Sequence, residues 1–202
     1  EATLYVFLAL LPFSKAAVEI AFAVLLTAWL LERFVPAFRR PTLWSQPGFR
    51  PIALAGLAYV GACVLSIAGS RFVSQSVEGL IGKWLEYLLF TVILADVGGR
   101  PRVMRRSLLA LAAAALLGVI EAVWQELAGK GLLRGYPLLT YGRMTGPYEN
   151  PIDLATFFMV VTPILLAWWI TLRGRSRWGL GAVLLLVGGC LGRTEASGAW
   201  LG

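Results

Sequence analysis

The sequence contains no histidine, and its two cysteines both lie inside apolar runs. The commonest general base and metal ligand is therefore missing. Cys63 and Cys190 are expected to pack as small hydrophobic side chains, not to build a disulfide framework. The acidic residues are dispersed, so the sequence predicts neither a metal site nor a cofactor. Phosphate-loop, dinucleotide-binding and serine-nucleophile motifs are also missing, which disfavours the common soluble enzyme classes.

Charge is scarce as well. Charged residues make up 14% of the chain, against about a quarter in a typical soluble domain. Hydrophobic residues make up 58%, and the mean hydropathy is +0.75. The net charge of +7 falls in short clusters between apolar runs, which is typical of topology signals and disfavours nucleic-acid binding. The composition predicts an all-α, polytopic transmembrane helix bundle.

About seven membrane spans are expected, because a helix needs about 20 apolar residues to cross a hydrocarbon core roughly 30 Å thick. The mixed stretch 70–82 is expected to form an amphipathic turn or helix at the interface. We expect a single transmembrane domain over residues 1–202 that continues beyond residue 202, because the last residues resemble the start of another apolar segment. The predicted spans are residues 4–13, 16–31, 51–69, 83–97, 107–124, 151–172 and 179–192.

Lysine and arginine are distributed unevenly between alternate connections. Arginines are concentrated in the basic connections 33–50, 98–107 and 173–177. The positive-inside rule places these connections in the cytoplasm and the stretch 141–155 on the outer face. In a bacterium this arrangement predicts a multi-pass protein of the inner membrane with residues 141–155 on its periplasmic side.

The stretch 141–155, YGRMTGPYENPIDLA, is polar and broken by glycine and proline between two apolar runs. Asn150 is a good N-cap, Pro151 suits the first helical position, and Asp153 favours the positive end of a helix dipole. A helix start is therefore one interpretation of these residues, beside a role in binding. Arg143 lies shortly before a span, where an arginine either reaches lipid headgroups or pairs with a phosphate.

Carboxylates within or near the spans are few. Glu86 is expected to pair with Lys83, one helical turn earlier, and we favour that pair over a catalytic carboxylate. Glu121 lies near the outer end of its span, where a solvated carboxylate is expected. Asp96 lies at the cytoplasmic edge and needs no special explanation.

Four arginines are expected on the outer face, and several fixed cations there would suit a lipid-linked pyrophosphate, both in binding and as a leaving group. The alternative is that these arginines are ordinary solvated residues of outer loops. The four arginines are Arg71, Arg134, Arg143 and Arg193.

Three segments in order resemble the superfamily of O-antigen ligases and O-antigen polymerases. They are Pro-Phe-Ser at 12–14, RMTGPYENP at 143–151 and the final TEASGAWLG at 194–202. The resemblance implies a membrane glycosyltransferase that moves a glycan from undecaprenyl pyrophosphate to lipid A core, a polysaccharide or a protein on the periplasmic face. It also implies membrane lipid and lipid-linked oligosaccharide as binding partners.

The resemblance implies a set of substrate-binding residues but identifies no catalytic residue. Arg143 matches the family's pyrophosphate-binding arginine, Tyr148 and Asn150 lie beside it, and Arg193 is a displaced substitute for a second arginine. Arg71 is the further outer-face candidate.

The chain also departs from the family pattern. Ile152 replaces an asparagine that the family often has at this position, and the family's histidine-bearing loop and later helices are missing from this sequence. The missing histidine and the short bundle motivate an alternative to the favoured transferase, a non-catalytic accessory or scaffold subunit with membrane-protein partners. A small-solute transporter is disfavoured, because the sequence shows no paired inverted halves.

Overall fold

A computed structural model describes residues 1–13, 15–35, 49–98, 100–138 and 142–196. These residues form helices and connections without a β-strand, although Lys130 and Pro137 make an isolated bridge. The α-helices are α1 (Ala2–Leu10), α2 (Lys15–Phe34), α3 (Phe49–Ala68), α4 (Val73–Gly79), α5 (Leu85–Gly98), α6 (Pro101–Ala128), α7 (Pro151–Thr171) and α8 (Arg175–Arg193). A π-helical turn, Leu80–Trp84, joins α4 to α5.

Each apolar run predicted to be a span overlaps a helix, but fewer helices qualify as spans than expected. Three helices of the described residues, α3, α6 and α7, are long and apolar enough to cross a membrane, against the expected number of about seven. Helix α1 has only 9 residues and α5 has 14. The other two helices are long, but α2 carries Lys15, Glu19, Glu32 and Arg33, and α8 carries Arg175, Arg177 and Arg193.

The prediction of a basic connection over residues 98–107 is wrong for most of its length, because a helix covers these residues from 101 onwards. Helix α6 begins at Pro101, a residue tolerated at the first helical position because its missing N–H needs no partner there. Arg102, Arg105 and Arg106 are therefore exposed residues of the first helical turns. The other long basic connection lies mostly outside the described residues. Helix α4 lies in the stretch predicted to form a turn or helix.

The chain divides into two compact units. The first comprises Glu1–Phe22 and Arg105–Gly202, and the second comprises Ala23–Met104. The boundaries fall within α2 and α6. The expectation of a single transmembrane domain that continues beyond residue 202 stays a prediction.

In the first unit, α7 packs against α8, and side chains on its buried face also contact α6. Six residues of α7 are buried at helical spacing, and among them Leu154, Phe158 and Leu165 have no exposed surface. A Cβ atom on Gly118 of α6 would lie 3.5 Å from the Phe158 ring. The contact between α6 and α7 is thus made by side chains, and glycine at 118 leaves room for the Phe158 ring.

The second unit contains a buried polar cluster that corrects the interpretation of Asp96. Asp96 is only 7% exposed. The Trp29 indole donates a hydrogen bond of 2.8 Å to its carboxylate, and Arg33 forms an ion pair with the same carboxylate. The Arg33 guanidinium also lies 5.8 Å from the centroid of the Trp29 ring. A buried carboxylate needs such partners, so Asp96 does have a special environment. The side chain of Lys83 lies outside the described part, and its pairing with Glu86 stays a prediction.

Replacing Phe158 with alanine should strongly destabilise the first unit. We expect a loss of about 3 kcal/mol in unfolding free energy in detergent, because the ring fills a closed space against Gly118. The matched control is Val160→Ala on the same helix, where the side chain is 53% exposed and the change should stay within about 0.5 kcal/mol. Equal losses in the two variants would contradict this account of the core.

Candidate functional site

The candidate site is built on the last turns of α6 and on the connection that leads from α6 to α7. The connection first folds back on itself, because the Leu138 amide donates to the Gly129 carbonyl at 2.9 Å and the Gly131 amide donates to the Tyr136 carbonyl at 2.8 Å. Gly129 and Gly135 have φ values of 74° and 68° in this reversal. Side chains with a Cβ rarely adopt these values, so glycine favours the turn.

Gln125 of α6 holds both halves of the connection. Its side chain is fully buried. The amide nitrogen donates to the carbonyls of Tyr136 and Pro137 at 3.1 and 3.2 Å and to the Thr145 hydroxyl at 2.8 Å. The amide oxygen accepts from the backbone N–H groups of Thr145 and Gly146 at 2.9 and 3.0 Å. Sequence analysis missed this residue, although an uncharged amide near the end of an apolar helix was a signal for it.

Gly146 lets the connection pass close to the start of α7. Its φ value of 57° lies in the left-handed region. A Cβ atom there would lie 3.3 Å from both methyl carbons of Leu154 and 3.6 Å from the Cβ of Ala122. Both the backbone angle and the available space therefore favour glycine.

Glu121 corrects the expectation of a solvated carboxylate. It is 1% exposed, and its Oε1 accepts a hydrogen bond of 3.0 Å from the Leu133 backbone N–H. In the described part of the chain, its Oε2 is buried without a hydrogen-bond partner. The cause of the burial is the connection, which folds back over the end of α6. A Cβ atom on Gly131 would lie only 2.7 Å from the carboxylate, so the fit is tight.

Two arginines predicted for the site, Arg143 and Arg193, come together at the end of α8. The Nε atom of Arg143 donates a hydrogen bond of 3.0 Å to the carbonyl of Thr194. The Met144 backbone N–H donates to the carbonyl of Arg193 at 3.4 Å. The guanidinium of Arg193 forms an ion pair with Glu126 of α6. We call Arg143 and Arg193 the arginine pair. Together with the carboxylate of Glu126 they carry one net positive charge.

Tyr148 lies beside the arginine-bearing segment and faces a separate cavity. Its hydroxyl donates a hydrogen bond of 3.1 Å to the carbonyl of Leu11, and its ring centroid is 6.3 Å from that of Phe157. Burial, and secondarily the charge of Asp153, raises the pKa of Tyr148 well above its ordinary value of 10. The hydroxyl therefore stays protonated and able to donate at physiological pH.

The cavity has a volume of about 610 Å³ and a mixed lining. Its polar side includes Arg134, Tyr148, Glu149 and Asp153, together with Thr156. Carboxylates outnumber cations by two to one in this lining. The opposite wall is apolar and consists of Leu11, Phe13, Ala16 and Val18.

A tyrosine near the cavity fixes the orientation of its charged groups. The hydroxyl of Tyr136 donates a hydrogen bond of 2.9 Å to Glu149, and that bond is the main reason for a raised pKa of Tyr136. The guanidinium of Arg134 lies 5.2 Å from the centroid of the same ring. Arg134 and Glu149 are thus held by one aromatic side chain.

The remaining predicted residues have separate environments. Asn150 is the N-cap of α7, and its side-chain oxygen accepts from the Ile152 backbone N–H at 2.9 Å. The predicted helix start is therefore confirmed, while a binding role for Asn150 stays a prediction. Arg71 is an exposed residue of the second unit, and its role also stays a prediction. Ser14 and residues 197–202, which carry part of the resemblance, lie outside the described residues, as does Tyr141.

Comparison of the chain with protein-family models, curated proteins and solved structures gives no match.

Replacing Gln125 with leucine should loosen the whole connection. The change leaves the buried amides of Thr145 and Gly146 without their acceptor and two carbonyls without their donor. We expect an unfolding free energy lower by at least about 3 kcal/mol, because each buried polar group without a partner costs about 1–3 kcal/mol. Hydrogen exchange should accelerate at the amides of Thr145 and Gly146.

The control for this variant is Gln75→Leu, which changes an exposed glutamine on α4. It should leave both stability and exchange at residues 145 and 146 unchanged. Unaltered exchange in Gln125→Leu would show that the connection is held by other contacts.

Proposed function

We propose that the chain is a membrane glycosyltransferase of the bacterial inner membrane, which moves a glycan from undecaprenyl pyrophosphate to lipid A core, a polysaccharide or a protein acceptor. The observation that carries the proposal is the arginine pair, formed by Arg143 and Arg193 from distant parts of the sequence. In this proposal the shorter and more charged helices accompany α3, α6 and α7 to give about seven spans, and the pair faces the periplasm.

A pyrophosphate group is multiply charged, and arginine binds its oxygens through paired N–H groups. The Nε bond to Thr194 fixes the plane of the Arg143 guanidinium but uses only one of its five N–H groups. Glu126 neutralises Arg193 through their ion pair. A bound pyrophosphate would replace that carboxylate and gain a second cation.

The mixed cavity suits the glycan better than the pyrophosphate. Its two carboxylates would repel an anionic group, whereas Glu149 and Asp153 can accept hydrogen bonds from sugar hydroxyls. The ring of Tyr148 and the apolar wall can contact the faces of a sugar. The lining and the arginine pair would thus bind different parts of one lipid-linked oligosaccharide.

The second candidate is a non-catalytic accessory or scaffold subunit that binds membrane-protein partners. One observation favours it, because both arginines already have protein partners in the structure. In this alternative the arginine pair is a structural link between the connection and the end of α8.

Replacing Arg143 with alanine should abolish glycan transfer from undecaprenyl pyrophosphate without lowering expression, because the pyrophosphate loses a cation that no other residue of the connection supplies at that position. Transfer is measured in membranes that contain the lipid-linked glycan and its acceptor. The matched control is Lys130→Ala, which removes an exposed cation from the same connection and should retain transfer. Full transfer by the Arg143 variant would disprove the assigned role.

The variant Glu126→Gln separates the two candidate functions. It releases Arg193 from its carboxylate, so in the transferase the affinity for undecaprenyl pyrophosphate should rise relative to the wild type. In a scaffold subunit the same change should lower thermal stability, and neither the wild type nor the variant should bind undecaprenyl pyrophosphate. Stable co-purification with partner subunits would support the scaffold further.

A further inference from the structure

A second concave surface lies on the first unit at the opposite end of α7. It is an open, mainly apolar groove of about 620 Å³ between α6 and α7, a volume within the roughly 300–1,000 Å³ of small-molecule sites. We call it the lipid groove. It is lined by Leu108, Pro163, Ile164, Ala167, Trp168 and Thr171.

The lining places the start of α6 beside the end of α7. Leu108 belongs to the first third of α6, and Thr171 is the last residue of α7. Both line the groove, so basic residues near these helix ends flank the same end of it. Arg105 precedes Leu108 by three residues on α6, which puts the two on one face with Cβ atoms about 5–6 Å apart. Arg173 follows Thr171 by two residues.

These arginines are available to an anion from the membrane. Arg105 and Arg173 are exposed. Within the described ranges, neither has an ion pair with a carboxylate. The positive-inside rule places this end of the helices in the cytoplasm, where basic residues between membrane helices can bind anionic headgroups.

We propose that the lipid groove binds an anionic phospholipid of the bilayer, with an acyl chain against Ile164, Ala167 and Trp168 and the phosphate near Arg105 and Arg173. The charge of the flanking arginines selects this occupant over a neutral lipid, and the apolar lining selects it over a soluble phosphate. The site is independent of the proposed glycan transfer, because it uses none of the residues of the arginine pair or the cavity.

The test uses the full chain purified in detergent. Native mass spectrometry measures binding of phosphatidylglycerol and of phosphatidylcholine with identical acyl chains. The wild type should bind phosphatidylglycerol more tightly. Arg105→Gln should reduce that preference about fivefold, the equivalent of the ~1 kcal/mol that one basic residue contributes near an anionic surface. Phosphatidylcholine binding should not change.

The matched control is Arg106→Gln. Arg106 is also exposed but lies two residues from Leu108, on a different face of α6, so the lipid preference should be retained. A second variant, Ala167→Phe, places a ring in the groove and should weaken binding of both lipids, with helix content checked by circular dichroism.

Three results would overturn the proposal. Equal losses in Arg105→Gln and Arg106→Gln would indicate diffuse positive charge instead of a defined site. Equal binding of the two phospholipids by the wild type would indicate a groove for any acyl chain. The third result is a wild-type dimer that forms without lipid and dissociates in Ala167→Phe. It would show that a second copy of the chain covers the groove.

Discussion

The candidate site depends on one buried amide. Gln125 makes five hydrogen bonds to the connection between α6 and α7, and its donors and acceptor serve two segments that are separated along the chain. Near the end of an apolar helix, backbone groups of a connection have little access to water, so each needs a partner within the protein. Gln125 supplies these partners. Tyr148, the arginine pair and the start of α7 all follow from the path that it imposes.

Local signals in the sequence predicted the features that depend on neighbouring residues. Asn150, Pro151 and Asp153 predicted the start of α7 because an N-cap, a first-turn proline and an acidic first turn act within a few residues. The apolar runs predicted the helices for the same reason. Fewer helices qualify as spans than the apolar runs predicted, because α1 and α5 are short and charges lie near the ends of α2 and α8.

Features that depend on distant contacts could not be predicted in this way. Glu121 is buried because the connection folds over it, and the position of a fold-back is not visible in the residues around Glu121. Asp96 is paired with Arg33 across two helices far apart in sequence. Conversely, Arg143 and Arg193 were both proposed for one site from charge and topology, and the structure brings them together through backbone contacts at the end of α8.

The length of α7 has a consequence for the two concave surfaces of the first unit. Its 21 residues extend about 30 Å, close to the thickness of a hydrocarbon core. Asp153 near its start lines the polar cavity, and Trp168 near its end lines the lipid groove. In the proposed topology, this one helix holds the two surfaces at opposite depths of the bilayer. The glycan donor and the phospholipid proposed for the two surfaces would then come from different leaflets, and both would contact α7.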